Sequence, residues 1–250
     1  VLVITGASGN FGGVCARMAA AEGAKVALLD MSSERLEALA QEVRETYNVD
    51  ARAYTVDVTK EAEVETVVMQ VCKDFARIDC LFNNAGIQGD FAPVDAYSFD
   101  DFEKVLKVNV TGAFAVLKHV SKVMVKQRAG SIVNTASCAG LGCPTCMPAY
   151  GSSKAALCHL AKLAAGDLAP SGVRVNSVSP AYIGPEDGFM WRRQVELQSK
   201  CGPTDASDFY FSGDTEVVAK QMVESVPLRR LGTPEEVVQT VLFLLSDESS

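Results

Sequence analysis

The stretch that decides the fold is VLVITGASGNFG, residues 1–12. A short run of aliphatic residues passes directly into a glycine-rich turn, and a helical pattern follows it. Free N–H groups and the dipole at such a helix start stabilise phosphate groups, while Gly6 and Gly12 let the backbone come close to a pyrophosphate. Strand, glycine-rich turn and helix in this order predict a dinucleotide site at the first crossover of a parallel sheet.

The rest of the chain alternates short β-branched runs with longer helical patterns, which is typical of βαβ units. Strands are predicted over 1–5, 25–29, 51–56, 78–83, 131–135 and 174–177, and helices over 11–22, 33–46, 60–75, 99–126, 149–168 and from 234 to about 246. Several strands are continuously apolar, as expected when helices cover both faces of a sheet. With no repeat or linker, we expect one α/β domain over 1–250, a Rossmann-type, doubly wound parallel sheet.

The alternation breaks down between Pro180 and Val226, where Gly, Pro, Asp and aromatic residues accumulate around a helical stretch at 191–200. A long irregular insertion in a compact domain is usually functional and often covers a site. We therefore expect a lid over about 181–226.

Composition excludes several classes of function. The net charge is −8 over 250 residues, and no apolar run approaches the ~18 residues of a membrane span. An acidic, soluble protein of this kind is not expected to have nucleic acid or membrane as a partner. The chain begins inside an apolar run at Val1, so we expect a trimmed start and leave organellar targeting open.

Eight cysteines are spread over a chain long enough to form a large core, so we expect free thiols in a reducing compartment, the cytoplasm. Cys143 and Cys146 have CxxC spacing, which leaves a redox role as an alternative. A closed zinc site needs four ligands, and the chain has no second pair and only two histidines. We expect two loop cysteines and no metal.

Asp30 ends the second predicted strand, about 20 residues beyond the glycine-rich turn. A carboxylate there accepts hydrogen bonds from a ribose 2′-hydroxyl and repels a 2′-phosphate. No basic residue follows in Met31-Ser32-Ser33. The cofactor is therefore predicted to be NAD rather than NADP, with a helix N-cap aspartate as the alternative interpretation.

Tyr150 and Lys154 stand four residues apart at the start of a predicted helix, which places both side chains on one face. A lysine ammonium beside a phenol lowers its pKa from about 10, so that the phenol can exchange a proton near neutral pH. Ser137 follows a strand at the edge where open α/β sheets bind ligands, and its hydroxyl could hold a substrate oxygen. The alternative for such a pair alone is a surface tyrosine and lysine.

Two further asparagine motifs strengthen this reading. Asn83-Asn84-Ala85-Gly86 follows the fourth strand. Asn109 lies in KVNVTG, residues 107–112, which puts poor helix formers in the middle of a helix. We expect a kink there with a functional cause.

With these motifs in this order, the sequence resembles the short-chain dehydrogenase/reductase family over essentially its whole length. The resemblance implies an oxidoreductase with a catalytic tetrad of Asn109, Ser137, Tyr150 and Lys154. Tyr150 would be the general acid/base and Ser137 would orient the substrate oxygen. Lys154 would tune Tyr150 and hold the nicotinamide ribose, and Asn109 would anchor a proton-relay water.

The same resemblance implies a set of cofactor-binding positions. They are Gly6, Ser8, Asn10, Phe11, Gly12, Asp30, Met31, Asp57, Val58, Asn83, Ala85, Gly86, Tyr150, Lys154, Pro180, Ala181 and Ile183. Three positions depart from the family pattern, since Asn10 and Ala181 replace glycines and Pro185 replaces a threonine. Asparagine tolerates left-handed φ better than most residues, so we expect the turn at Asn10 to survive.

Three stretches, at 86–102, 180–200 and 225–232, resemble family members that oxidise xylitol to a ketose with NAD. They imply a polyol or similar secondary alcohol as substrate. The candidate substrate-binding residues are Gln88, Ser137, Met147, Tyr150 and Trp191, with Cys138, Phe189 and Met190 as further candidates. Core packing is the alternative for each apolar one.

Two other functions stay open. A reductase of 3-oxoacyl thioesters or other ketones would more often use NADPH and a basic patch, while a non-catalytic dinucleotide-binding protein would have lost the tetrad. The helix over 155–168 is apolar nearly all round, which predicts a subunit contact. The family resemblance implies a homo-oligomer, a tetramer.

Overall fold

Six short runs of mostly aliphatic residues form the sheet in the computed structural model, which describes residues 1–201 and 213–249. The strands are β1 (Leu2–Thr5), β2 (Val26–Asp30), β3 (Ala51–Thr55), β4 (Cys80–Asn83), β5 (Gly130–Thr135) and β6 (Val173–Val178). All are parallel, in the spatial order β3-β2-β1-β4-β5-β6. This confirms the predicted doubly wound sheet.

Helices cover both faces of the sheet. They are α1 (Asn10–Ala21), α2 (Ser33–Tyr47), α3 (Glu61–Phe75), α4 (Phe99–Leu106), α5 (Ala113–Gln127), α6 (Pro148–Leu168), α7 (Phe189–Lys200), α8 (Thr215–Ser225) and α9 (Pro234–Leu245). Successive side chains of a strand point to opposite faces. Leu2 and Ile4 of β1 therefore pack with the cluster of α1, α2 and α9, while Val3 packs with that of α3, α5 and α6. Two covered faces explain the continuously apolar strands.

The predicted helix over 99–126 consists of three segments. Between α4 and α5, residues Lys107–Gly112 form a π-helix. The expected irregularity at Asn109 is thus confirmed, and its form is a π-helical segment, which is wider than an α-helical turn.

The lid region contains one helix that the sequence analysis did not predict, α8. Its start carries an ordinary signal, since the Asp214 side chain accepts hydrogen bonds from the N–H groups of Glu216 and Val217. Trp191 and Val195 of α7 pack with Val218 and Met222 of α8, apart from the two clusters on the sheet. Residues 202–212 of the predicted lid lie outside the described residues.

The ends of β1 and β4 meet where the strand order reverses direction. The Thr5 hydroxyl accepts hydrogen bonds from the backbone N–H groups of Asn84 at 2.9 Å and Ala85 at 3.0 Å. This joins the first glycine-rich turn to the loop after β4. Ligands of open α/β sheets bind at such a reversal, so the fold places the candidate site here.

Two global features follow from the described residues. All eight cysteines carry free thiols, as expected. Across 1–201 and 213–249, no helix is both long and apolar enough to cross a membrane.

Candidate active site

The glycine-rich turn is shaped by two close approaches. Gly6 has a φ of +63°, and a Cβ there would lie 3.0 Å from the Ala85 Cα. A Cβ on Gly12 would lie 2.2 Å from the Gly6 carbonyl oxygen, so α1 starts directly against the turn. Only glycine fits both places.

Asn10 corrects one expectation. It is the first residue of α1 and is not among the residues with positive φ. The turn therefore does not depend on its tolerance of left-handed backbone, because the left-handed step occurs at Gly6 instead.

The start of α1 fits a phosphate group. Its N-cap, Gly9, supplies no side-chain hydrogen bond to the first turn. The start of α9, by contrast, is closed by a capping box of Thr233 and Glu236. The uncapped N–H groups at Asn10, Phe11 and Gly12 are available to an anion, which matches the predicted cofactor cradle.

Asp30 lies beside this cradle at the end of β2. The Ser8 backbone N–H and hydroxyl donate to one carboxylate oxygen at 3.0 and 2.6 Å, and the Met31 N–H donates to the other at 2.7 Å. Ser32, not Asp30, is the N-cap of α2, so the alternative interpretation of Asp30 does not hold. In the part of the chain that the structure describes, no lysine or arginine forms an ion pair with it.

Two of the predicted cofactor-binding residues, Asp57 and Val58, follow β3. Hydrogen bonds from the Thr59 hydroxyl and N–H lower the pKa of the Asp57 carboxyl below its usual range. Val58 is buried, and the π-helix lies so close that a Cβ on Gly112 would come within 2.8 Å of its side chain. Asp57 is therefore held by its own turn, and Val58 braces the π-helix.

The side chain of Asn83 belongs to the scaffold. It is buried, and its Nδ2 donates to the Ala113 carbonyl and to Asn134 Oδ1, both at 2.9 Å. Of the motif after β4, Ala85 is half-buried and Gly86 is exposed. The organising residue at this edge, Thr5, was not predicted, because a threonine at the end of a strand carries no distinguishing sequence signal.

Asn109 is fully buried in the π-helix and connects the loop after β4 to α6. Its Oδ1 accepts from the Ile87 N–H at 2.8 Å, and its Nδ2 donates to the Ile87 carbonyl at 2.8 Å and to Ser153 Oγ at 3.0 Å. Ser153 Oγ in turn donates to the Tyr150 carbonyl at 2.7 Å. The wider π-helical turn thus places an amide where it holds both the loop after β4 and the start of α6.

Tyr150 and Lys154 share one face of α6, as their spacing predicts. The Lys154 Nζ lies 5.6 Å from the centre of the Tyr150 ring and donates to the Thr135 carbonyl at 2.7 Å. Lys154 is only 4% exposed, and burial lowers its pKa to about 8. The described residues around Nζ provide no carboxylate to oppose this effect.

The pKa of Tyr150 corrects a second expectation. Burial raises the pKa of the phenol, and a hydrogen bond from Ser137 opposes this effect without cancelling it. Lys154 is not among the groups that shift the pKa of Tyr150 here, and its ammonium donates to the Thr135 carbonyl instead.

Ser137 stands between the phenol and the end of β6. Its Oγ accepts from the Ala139 N–H at 3.1 Å, which fixes the turn after β5. The neighbouring Cys138 N–H donates to the Pro180 carbonyl at 3.0 Å. The hydroxyl therefore reaches Tyr150 from a loop anchored at both ends. Asn109, Ser137, Tyr150 and Lys154 are brought together as the sequence predicts.

The remaining cofactor candidates lie after β6. Ile183 forms a bridge with Gly232, and the Gly184 N–H donates to the Gly232 carbonyl at 2.9 Å. Ala181 is exposed. The first part of the lid is thus tied to the segment before α9.

The candidate substrate residues separate into three groups. Met147 and Trp191 are buried, and Trp191 packs edge-on against Tyr182 inside the lid. Phe189, Met190 and Cys138 are exposed. Gln88 is half-buried in the loop after β4. For Trp191, the geometry favours the core-packing alternative.

The pair with CxxC spacing does not form a unit. Cys143 is exposed, whereas Cys146 has a hydrogen bond with Cys201 at the end of α7. Among the residues described, no group of three or more His, Cys, Asp or Glu side chains could hold a metal ion.

Comparison with known proteins agrees with this geometry. The family model described as short chain dehydrogenase matches residues 1–193. A crystal structure of NAD+-bound xylitol dehydrogenase is 54% identical, with a TM-score of 0.95, over 99% of this chain and 92% of that one. Levodione reductase of Leifsonia aquatica is 35% identical over 100% of this chain and 88% of its own length.

A third relative has a different printed activity. The 3-oxoacyl-[acyl-carrier-protein] reductase FabG of Thermotoga maritima is 35% identical over 100% of this chain and 92% of its own length. The relatives therefore share the fold and the type of reaction but not the substrate. Together with the match of the family model over most of the chain, they confirm the resemblance seen in the sequence: the chain belongs to the short-chain dehydrogenase family of oxidoreductases.

Proposed function

We propose that the chain is an NAD-dependent dehydrogenase of a polyol or similar secondary alcohol of the xylitol type, which it converts to a ketose. One observation carries the reaction: the Tyr150 phenol lies beside the Ser137 hydroxyl and the desolvated Lys154 ammonium. The proposed substrate class rests on the 54% identity to a xylitol dehydrogenase.

The proposed chemistry is a proton transfer coupled to a hydride transfer. A dinucleotide held by the glycine-rich turn at Gly6 and Gly12 and by Asp30 would supply the hydride acceptor. Tyr150, as phenolate, takes the hydroxyl proton, and the alcohol becomes a ketone. Ser137 orients the reacting oxygen. A positive charge closer to the phenol than the Lys154 ammonium would favour the phenolate that burial disfavours.

Asn109 acts as a positioning residue in this proposal. Its amide holds Ile87 on one side and, through Ser153, the first turn of α6 on the other. It thereby fixes the loop that borders the cleft relative to Tyr150. A relay water at Asn109, which the family resemblance implies, remains a prediction.

NAD is favoured over NADP by the position of Asp30. Its carboxylate ends β2 beside the cradle and already accepts hydrogen bonds from a serine hydroxyl and from N–H groups. A ribose with two free hydroxyls can take the place of the Ser8 hydroxyl as donor, whereas a 2′-phosphate would meet a negative charge.

The oligomeric state is part of the proposal. Leu157, Ala161 and Ala164 of α6 are buried in the main body, while Leu163 is 56% exposed. Phe114 on α5 is also exposed. Exposed apolar side chains on both helices support self-association. We propose that the assembly is a tetramer. Sedimentation equilibrium should then give four times the 26.6 kDa of one chain. A reducing compartment, the cytoplasm, is consistent with eight free thiols.

The test of the proposed function is a substrate panel. Purified protein is offered xylitol, other polyols and single alcohols with NAD and with NADP, and 3-oxoacyl thioesters with NADH and NADPH. We expect fastest turnover for a polyol with NAD. Asp30→Ala should reduce kcat/KM for NAD by about 10- to 100-fold, which corresponds to ~1.4–2.8 kcal/mol, and should raise it for NADP.

Three results would contradict the proposal. Faster turnover of the wild type with NADP would disprove the role of Asp30. Efficient reduction of 3-oxoacyl thioesters without oxidation of any polyol would favour the reductase activity of the Thermotoga relative. Cofactor binding with no turnover of any substrate would favour a non-catalytic dinucleotide-binding protein.

A further inference from the structure

One buried polar atom in the loop after β4 has no explanation in the fold. Gln88 Oε1 is buried and, across residues 1–201 and 213–249, receives no hydrogen bond from the protein. Leaving such an acceptor unpaired costs free energy, so unpaired groups are rare in folded proteins. The two other described groups of this kind are Asn134 Nδ2 on β5 and Gln198 Oε1 on α7. Gln88 differs from both because it lies in the loop after β4.

The backbone on both sides of Gln88 is held in place. Asn109 bonds both the N–H and the carbonyl of Ile87. Gly89 has a φ of +72°, and a Cβ there would come within 2.5 Å of the Val105 side chain. Arg193 of α7 donates to the Gly89 carbonyl at 3.4 Å. Gln88 therefore cannot easily find a partner by a shift of its loop.

The same contacts place the loop of Gln88 beside the start of α6, which carries Tyr150. Asn109 links Ile87 through Ser153 to the Tyr150 carbonyl. A little further along, the Ala92 N–H donates to the Cys146 carbonyl at 3.0 Å, just before α6. The loop that carries Gln88 thus lies between the start of α6 and the lid helix α7.

We infer that Gln88 is a specificity-determining residue whose amide oxygen accepts a hydrogen bond from a substrate hydroxyl other than the one being oxidised. The inference rests on the proposed function, because it presumes an alcohol bound at Tyr150. A polyol brings several hydroxyl donors next to the reacting carbon. A 3-oxoacyl thioester brings a second carbonyl there, which cannot donate to Gln88 Oε1. A site with a buried acceptor discriminates against substrates that lack the donor.

The test uses Gln88→Met, which keeps the length of the side chain and removes the amide. We expect kcat/KM with NAD to fall by about 10- to 100-fold for xylitol, the loss of one buried hydrogen bond. Pentan-2-ol carries a secondary alcohol on a chain of the same length and no other hydroxyl. For pentan-2-ol, the change should stay within about 3-fold (~0.7 kcal/mol). If its turnover is too slow to follow, its competitive inhibition constant against xylitol serves instead.

Stability gives a second, independent readout. Since Oε1 has no protein donor, Gln88→Met should leave the melting temperature of the cofactor-free protein unchanged or raise it. Gln41→Met, on the exposed face of α2, is the matched control and should leave kcat/KM unchanged for both substrates.

The outcomes separate this inference from the proposed function. An equal decrease in kcat/KM for xylitol and pentan-2-ol, or a lowered melting temperature, would mean that Gln88 has a structural role. No loss of kcat/KM for xylitol would mean that the oxygen takes no hydrogen bond from the substrate. Either result overturns the inference while the polyol activity of the wild type stands. A wild type that oxidises no polyol overturns the proposed substrate class instead.

Discussion

The carboxyl ends of the strands, here called the sheet edge, and the predicted lid are held in different ways. Lys154, Asn109 and Asn83 lie at the sheet edge, and buried hydrogen bonds tie each of them to a part of the chain distant in sequence. The lid helices α7 and α8 pack mainly on each other through four buried apolar side chains, while Phe189 and Met190 remain exposed.

This difference separates chemistry from selectivity. A proton acceptor must be positioned within a fraction of an ångström, which a network of buried bonds on a large core can provide. A small cluster contributes little to the total free energy of unfolding, so a unit of this kind can open at low cost. The proposed reacting groups therefore lie on the large core, and we expect the predicted lid to open at a lower free-energy cost.

The largest expected effect concerns Tyr150 at the sheet edge. Tyr150→Phe removes the proton acceptor and should reduce kcat by about 10³-fold or more. The ring and the cradle remain, so the dissociation constant of NADH, measured by fluorescence titration, should change by less than about 3-fold (~0.7 kcal/mol).

Tyr54→Phe is the control for this substitution. Its hydroxyl donates to Asp74 at 2.7 Å, away from the cleft, and its loss should leave kcat unchanged. Retained turnover in Tyr150→Phe would show that the sheet edge does not carry the chemistry.

The pH dependence of the free energy of unfolding tests how far the Lys154 ammonium at the sheet edge is shielded from solvent. Burial lowers the pKa of Lys154 to about 8 from the usual 10.5. Between these values the folded chain binds fewer protons than the unfolded chain, so the free energy of unfolding should rise with pH. Below about pH 8 the cost of the buried ammonium is fully present, and the gain by pH 10.5 should approach roughly 3 kcal/mol.

Urea unfolding of the cofactor-free protein between pH 7 and pH 10 measures this gain. Lys154→Met should lose it, so the wild type should gain stability relative to the variant as the pH rises. Lys162→Met, at an exposed position of the same helix, should keep the slope of the wild type. Parallel slopes for wild type and Lys154→Met would mean that Lys154 is well solvated.

The smallest effect is expected for the lid. Trp191→Ala should destabilise the lid cluster and raise KM for the alcohol by about 10-fold, yet lower the free energy of global unfolding by less than about 1 kcal/mol. Leu28→Ala, in the main core, should cost about 2–5 kcal/mol. Similar decreases in the free energy of unfolding for both variants would show that the lid helices and the sheet unfold as one unit.

Most of the fold could be predicted because the signals are local. Apolar runs, turn residues and helical periodicity placed all six strands and six of the helical regions within about two residues of their ends. Helix α8 was not predicted, although Asp214 caps it, because an irregular stretch surrounds it. The irregularity at Asn109 was predicted but its π-helical form was not, since this form depends on partners at Ile87 and Ser153.

By itself, the sequence determined local positions. It placed Tyr150 and Lys154 on one helix face, Asp30 at the end of a strand, and glycines where α1 begins. Only the tertiary structure decided which polar atoms are buried and which hydrogen-bond partners they have. It turned Lys154 toward Thr135, kept the pKa of Tyr150 high, placed Trp191 inside the lid and left Gln88 Oε1 without a donor. The reason is physical: spacing along a helix or strand is set by local geometry, whereas burial and hydrogen-bond partners depend on residues far apart in the chain.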